Sequence, residues 1–283
     1  MATLTPTILL DGLVFPEGPR WHEGRLWFSD MHAHRVLAMT PDGTTTVIAD
    51  LPGRPSGLGF LPGGRLLVAS MQDRKLLRLD PLGFHVVADL TDFVRGDIND
   101  MVVDLQGRAY VGNFGFDYNA GDKFATAAIV LVETDGTARV VANDLMFPNG
   151  QVITPDGKTL IVAETFGRRL TAFDIAADGT LSNRRVWAEM GEATPDGICL
   201  DAEGAIWVGS PTTQEFLRVR EGGDVSDRIP TPGKWAVACM LGGDDRRTLY
   251  LLTAETTQPE LARGKSKGWI ETVRVDVAGA GLP

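Results

Sequence analysis

The stretch FPNGQVITPDGKTLIVAET, Phe147 to Thr165, decides how the whole chain is read. It holds the triplet Pro148-Asn149-Gly150, an apolar run ending at Ile153, the turn Pro155-Asp156-Gly157 and the strand-like run Thr159 to Ala163. The same order returns along the chain. Pro16-Glu17-Gly18 precedes Glu23-Gly24 and Arg25 to Phe28, and Pro55-Ser56-Gly57 precedes Gly63-Gly64 and Arg65 to Ala69. Asn99-Asp100 precedes Gln106-Gly107 and Arg108 to Val111, and Pro195-Asp196-Gly197 precedes Glu203-Gly204 and Ala205 to Val208. A sixth, degraded copy runs from Trp235 to Met240, through Gly242-Gly243, to Thr248–Leu252. The copies step by 39 residues (16 to 55), 93 over two units (55 to 148) and 47 (148 to 195). A unit of about 40–50 residues with turn signals and short strands marks a propeller blade.

Period-two alternation supports this. Leu76 to Leu79, Ala138 to Val141, Leu170 to Phe173 and Val273 to Val277 are β-rich and bounded by Gly, Asp, Asn or Pro. Asp42-Gly43, Gln106-Gly107, Asp135-Gly136, Asp156-Gly157 and Asp178-Gly179 supply the positive-φ positions of tight hairpins. No helical stripe is sustained. The chain reads as all-β: a six-bladed β-propeller with four-stranded antiparallel blades, one domain over residues 1–283. The blades fall near 14–50, 53–91, 95–142, 146–190, 193–230 and 233–278, and a strand around Thr7 to Leu10 closes the last blade. Two segments exceed the repeat, Gly112 to Ala128 and Glu255 to Gly268. The first carries Phe114, Phe116 and Tyr118, which are costly to leave bare in water, and reads as a lid.

The totals exclude several classes. A net charge of −10 leaves no basic stripe for nucleic acid. The N-terminus has no basic region before its short apolar run, and no run is long enough to cross a bilayer, so a cytoplasmic protein is expected. Cys199 and Cys239 sit at matching places in the fifth and sixth repeats and read as small buried hydrophobes in a reducing compartment. No GxSxG elbow, P-loop or dinucleotide fingerprint is present.

Residues at one phase of successive blades converge on the propeller axis. Here that phase holds Glu17, Ser56, Asn99, Asn149, Asp196 and, roughly, Ala236. Two carboxylates with no Arg or Lys in the repeat frame repel when buried together, unless a cation lies between them. The donors are hard oxygens, which suits Ca²⁺, Mg²⁺ or Mn²⁺ better than a structural Zn²⁺. Glu17 is the most telling member, because Glu is a poor turn residue and capping does not explain it. His32 and His34 follow Asp30; on a strand both rings would share one face, and with no third ligand nearby the pair reads as pocket wall or surface. Trp27 and Trp207 fall at equivalent strand positions and read as inter-blade core.

Taken together, PEGPRW around Glu17, the triplet Ile98-Asn99-Asp100, Pro148-Asn149-Gly150, PDGICLDAEGAIWV (Pro195 to Val208) and CMLGGDDRRTLYLLTA (Cys239 to Ala254) resemble one family. It is the regucalcin (senescence marker protein), gluconolactonase and luciferin-regenerating-enzyme family of six-bladed propellers, and the likeness spans nearly the whole chain. The resemblance implies one divalent metal ion on the axis, calcium foremost, with Zn, Mg, Mn or Fe as other candidates. By motif position its ligands are Glu17, Asn149 and Asp196, with Asn99 beside it as a ligand or substrate contact and Asp100 nearby. The sugar-lactone members carry an Arg two residues before the third-repeat Asn, and here that position is Asp97.

The expected activity is hydrolysis of a small lactone, sugar-derived or aldonolactone-like. The metal polarises the carbonyl, and Asp196 acts as general base or as nucleophile. Asn99, Asp97, Asp100, His32 and Phe116 are the expected substrate contacts. The partner is a small molecule, and the chain is expected to be a monomer or a weak homo-oligomer. A phosphotriesterase at the same metal and a non-catalytic calcium-binding propeller are the alternatives.

Overall fold

Turn chemistry comes first. Gly157, at φ +70°, closes the hairpin between Pro148–Ile153 and Thr159–Glu164, its N–H donating to Thr154 O at 2.8 Å. Asp156 Oδ1 accepts the Lys158 N–H (3.1 Å), so the Asp-Gly pair satisfies the turn that it creates. Repeated along the chain, such hairpins give the computed structural model six four-stranded antiparallel sheets, described for residues 4–118 and 120–281. Residues 1–3, 119 and 282–283 of the expected 1–283 span lie outside the described residues.

The innermost strands are Pro16–His22, Pro55–Phe60, Ile98–Val103, Pro148–Ile153, Ile198–Leu200 and Trp235–Gly242. Each touches the innermost strands of the blades before and after it, and the sixth returns to the first, which closes the ring. The chain is a six-bladed β-propeller. In the sixth sheet the outermost strand is Thr7–Leu13, pairing antiparallel with Lys267–Arg274 in the register Thr7 to Thr272 and Leu13 to Gly268. Strands from near the two ends of the described chain thus share one sheet, which ties the segment entering the first blade to the last blade.

Two local features aim side chains at the axis. Register shifts interrupt the pairing between Glu17 and Arg20, Pro55 and Leu58, Ile98 and Met101, and Pro148 and Gln151, immediately around the phase positions. A bulge of this kind twists the strand and re-aims a side chain. The frame glycines also let neighbouring blades abut: a Cβ on Gly150 would lie 2.6 Å from Asp196 O, and one on Gly197 would lie 2.3 Å from Ala238 Cβ.

Between the blades lies the apolar core. Trp21 of blade one stacks on Tyr250 of blade six with centroids 5.5 Å apart. Trp207 is fully buried, whereas Trp27 is half-buried against the Phe60 edge (5.2 Å) and donates from Nε1 to His22 O. Cys199 and Cys239 are adjacent free thiols, Sγ to Sγ 3.7 Å, and burial pushes the Cys239 thiol well up. No helix among the described residues is long and apolar enough to cross a membrane.

Asp30, fully buried, ties the segment entering blade one to the sheet. Its Oδ1 accepts the N–H groups of Val14 (2.9 Å) and Phe15 (2.8 Å), and its Oδ2 pairs with Arg35 (2.9 Å). Removing the carboxylate strands two backbone donors and one cation. Asp30→Ala is therefore expected to lower stability by about 2–4 kcal/mol, read as a lower urea midpoint with an unchanged slope.

Candidate active site

Glu17, Asn99, Asn149 and Asp196 come from four different blades, and the ring brings them together on the floor of one cavity of about 310 Å³. All four are less than a tenth exposed. Ser56 lies beneath: its Oγ donates to Asn99 Oδ1 (3.2 Å) and its carbonyl accepts Ser29 Oγ (2.6 Å). Ala236, the sixth phase position, is buried and does not line the cavity; Trp235 beside it does.

The two amides are turned oppositely. Asn99 has its oxygen occupied by Ser56, which leaves its amide N–H groups for the cavity. Asn149 donates from Nδ2 to Thr165 Oγ1 (3.3 Å), which leaves its oxygen for the cavity. Thr165 is itself fixed by donating to Pro195 O (2.8 Å). One amide therefore offers a donor and the other an acceptor.

Charge on the floor is strongly unbalanced. Burial raises the Glu17 carboxyl well above the usual range, and the negative charges of Asp196 and Asp100 raise it further. Asp196 is pushed up to about 8 by burial and then by Asp100. Among the described residues its Oδ1 has no hydrogen-bond partner. The sequence frame shows no cation near these acids, but the structure supplies one. Arg20 Nη2 pairs with Asp100 Oδ1 at 2.9 Å and also donates to Met101 O. Asp100 accepts its own chain's Met101 N–H (2.8 Å), and Gln151 Nε2 donates to Asp100 O (3.2 Å). Asp100 is thus a buried prop beneath the floor, outside the cavity lining.

Other expected contacts divide. His32 lines the cavity, edge-on to Phe15 with centroids 5.9 Å apart; burial and the Arg54 charge lower it to about 4, so it is neutral at pH 7. His34 does not join it. A 3₁₀ turn, Met31–Ala33, breaks the strand, and His34 Nδ1 instead meets Pro52 O (2.9 Å). Asp97 is half-buried and outside the cavity lining, its carboxyl raised by burial and lowered in part by Arg54. Phe116 is buried behind the wall, against Tyr118, Phe124, Phe147 and Phe166. Phe114 and Tyr118 of the same loop do line the cavity. The second insertion forms a one-turn helix, Gln258–Leu261, capped by Thr257, and Tyr118 Oη donates to Gln258 Oε1 (2.9 Å). Loops of blades three and six thus meet over the cavity.

Among the described residues no group of three or more His, Cys, Asp or Glu side chains is placed to hold a metal ion. The available set is two carboxylates, Glu17 and Asp196, and one amide oxygen, Asn149. The partnerless Asp196 oxygen and the excess negative charge fit a hard divalent cation.

A family model described as SMP-30/Gluconolactonase/LRE-like region matches residues 15–255. The chain belongs to that family. The SMP-30/gluconolactonase/LRE-like chain is 28% identical over 281 residues to a 6-deoxy-6-sulfogluconolactonase of Pseudomonas putida, covering 95% of this chain and 94% of the relative. It is 28% identical over 289 residues to a pentonolactonase of Haloferax volcanii, covering 94% and 92%. A gluconolactonase structure from Xanthomonas campestris superposes with a TM-score of 0.78 at 25% identity, covering 96% of this chain and 90% of that one. A luciferin-regenerating enzyme shares the fold, with a TM-score of 0.83 at 19% identity over 98% of this chain and 99% of that one.

Raised carboxyls carry a sign. A group held above its unfolded value favours folding while protonated, and that contribution fades as pH rises through the folded value. For Asp196 the window runs from about pH 4 to about 8. In chelator, the family member should lose stability across that window. Asp196→Asn should raise its melting temperature by several degrees at pH 8 and little at pH 4.

Proposed function

We propose that this chain is a hydrolase that opens small lactones at a divalent-cation site on the propeller axis. One observation carries the reading: two buried carboxylates and two oppositely turned amides share one cavity floor, in a family whose relatives include named lactonases. Glu17, Asn149 and Asp196 would hold the cation, calcium first because every donor is a hard oxygen. When bound, it supplies Lewis-acid polarisation of the lactone carbonyl and charge to offset a developing oxyanion.

The chain's own residues do the rest. Asn99 donates an amide N–H to a substrate oxygen and so fixes the ring's orientation. Asp196 takes the proton from the attacking water as the new C–O bond forms. It returns that proton to the ring oxygen as the ester C–O bond breaks, giving a hydroxy acid. Arg20 and Asp100 hold the floor from below, and the walls above it are mostly apolar. The substrate is a small molecule, and the chain works in the cytoplasm as a monomer or weak homo-oligomer.

The test is a pH-indicator screen of γ- and δ-lactones with and without chelator, restoring Ca²⁺, Mg²⁺, Mn²⁺, Zn²⁺ or Fe²⁺ singly and including an aryl phosphotriester. Turnover lost in chelator and restored by one metal supports the reading. Asp196→Ala is expected to lower kcat/KM by about 10²–10⁴-fold with the fold intact by circular dichroism. A near wild-type rate in that variant, or phosphotriester turnover exceeding that of every lactone, overturns it.

A further inference from the structure

The floor of the cavity is polar, but the space above it is not. Phe114 and Phe147 stack with centroids 4.4 Å apart, and Phe147 meets Phe166 at 4.7 Å, all three lining the cavity. Phe166 remains 42% exposed and the neighbouring Tyr118 40% exposed, an unusual state for rings already in a cluster. Met31, Met71, Trp235 and Leu261 extend the apolar lining on other sides.

The wall is anchored to the floor. Phe147 stands two residues before Asn149, in a left-handed conformation (φ +62°) that a bulky residue rarely adopts. Its carbonyl accepts the Thr165 N–H (3.1 Å), and Met146 O accepts the Phe166 N–H (3.2 Å). Thr165 in turn receives the Asn149 amide. The ring faces are therefore held at a fixed offset from the reacting position.

A polyhydroxylated ring needs donors and acceptors around its rim, and several hydroxyl donors of this wall are already committed. Tyr118 Oη is bound to Gln258, Thr194 Oγ1 to Thr212 Oγ1 (2.8 Å) and Thr165 Oγ1 to Pro195 O. Asp97 stands where the sugar-lactone pattern has an Arg, and it lies outside the lining. Arg54 and neutral His32 remain on the side of blades one and two, and the Gln258 side-chain N–H groups on the side of blade six. Leaving a substrate's hydroxyls unpaired against Phe faces costs more than placing hydrocarbon there.

We infer that the substrate is a lactone bearing an alkyl or aryl substituent, which lies on the Phe114–Phe147–Phe166 face while the ring sits over Glu17, Asn99, Asn149 and Asp196. Polyol lactones are poor substrates by comparison. The inference rests on the lactonase reading and narrows its substrate class.

The test compares kcat/KM of the full chain, supplied with the restoring divalent cation, for γ-valerolactone, γ-nonalactone, dihydrocoumarin and δ-gluconolactone. A fully buried methylene raises kcat/KM up to about fourfold, so the four added in γ-nonalactone should give at least about tenfold over γ-valerolactone. Phe166→Ala should cut that ratio about fivefold, while Phe166→Leu, which keeps an apolar surface, retains most of it. A ratio between two substrates does not move if the variant is merely less stable. A flat alkyl series, δ-gluconolactone outpacing γ-nonalactone and dihydrocoumarin, or an unchanged ratio in Phe166→Ala overturns the inference and leaves the lactonase reading standing. No turnover of any lactone overturns both.

Discussion

Everything on the axis depends on how closely the innermost strands approach one another. At Gly57, Gly150 and Gly197 there is no room for a Cβ, because the backbone or Cβ of the next blade occupies that place. The Gly150 N–H donates to Asp196 O (3.1 Å) and the Gly197 N–H to Val237 O (2.9 Å), so adjacent blades are linked through their frame glycines. That contact fixes the spacing between one phase residue and the next. Blade three departs from it: Asp100 stands where blades one, two, four and five have glycine (blade six has Val237), and its carboxylate runs under the floor to Arg20.

The electrostatic consequence follows from counting charges. Three acids, Glu17, Asp100 and Asp196, surround the axis with one cation, Arg20, committed to Asp100. Two acids are left without a cation partner in a buried place, where desolvation and mutual repulsion both oppose ionisation. Both carboxyls are therefore held above their usual range. A neutral pair of amides beside those acids adds direction without adding charge.

The sequence carried the architecture openly, since turn glycines and the spacing of Pro-x-Gly frames do not depend on tertiary detail. Convergence of Glu17, Asn99, Asn149 and Asp196 follows from ring symmetry, so it too was legible. Arg20 was not, although it stands inside the quoted PEGPRW: a register shift between Glu17 and Arg20 breaks the alternation that would have sent it elsewhere. His34 parted from His32 because a 3₁₀ turn replaced the expected strand. The orientation of the two asparagines depends on Ser56 and Thr165, partners from other strands that no local pattern announces. Phe147 and Phe166 flank the central repeat, yet their shared face is set by a positive φ and by loop packing rather than by periodicity.

Closure of the ring by Thr7–Leu13 against Lys267–Arg274 has a consequence in time. The floor residues span positions 17 to 196, but the blades that carry them stay in a closed circle only when both ends of the chain have paired. Contacts of such long sequence separation form late and slowly. During synthesis, the four floor residues are all made well before the strand that completes the circle. A nascent chain can thus hold all four floor residues before the circle that gathers them is closed.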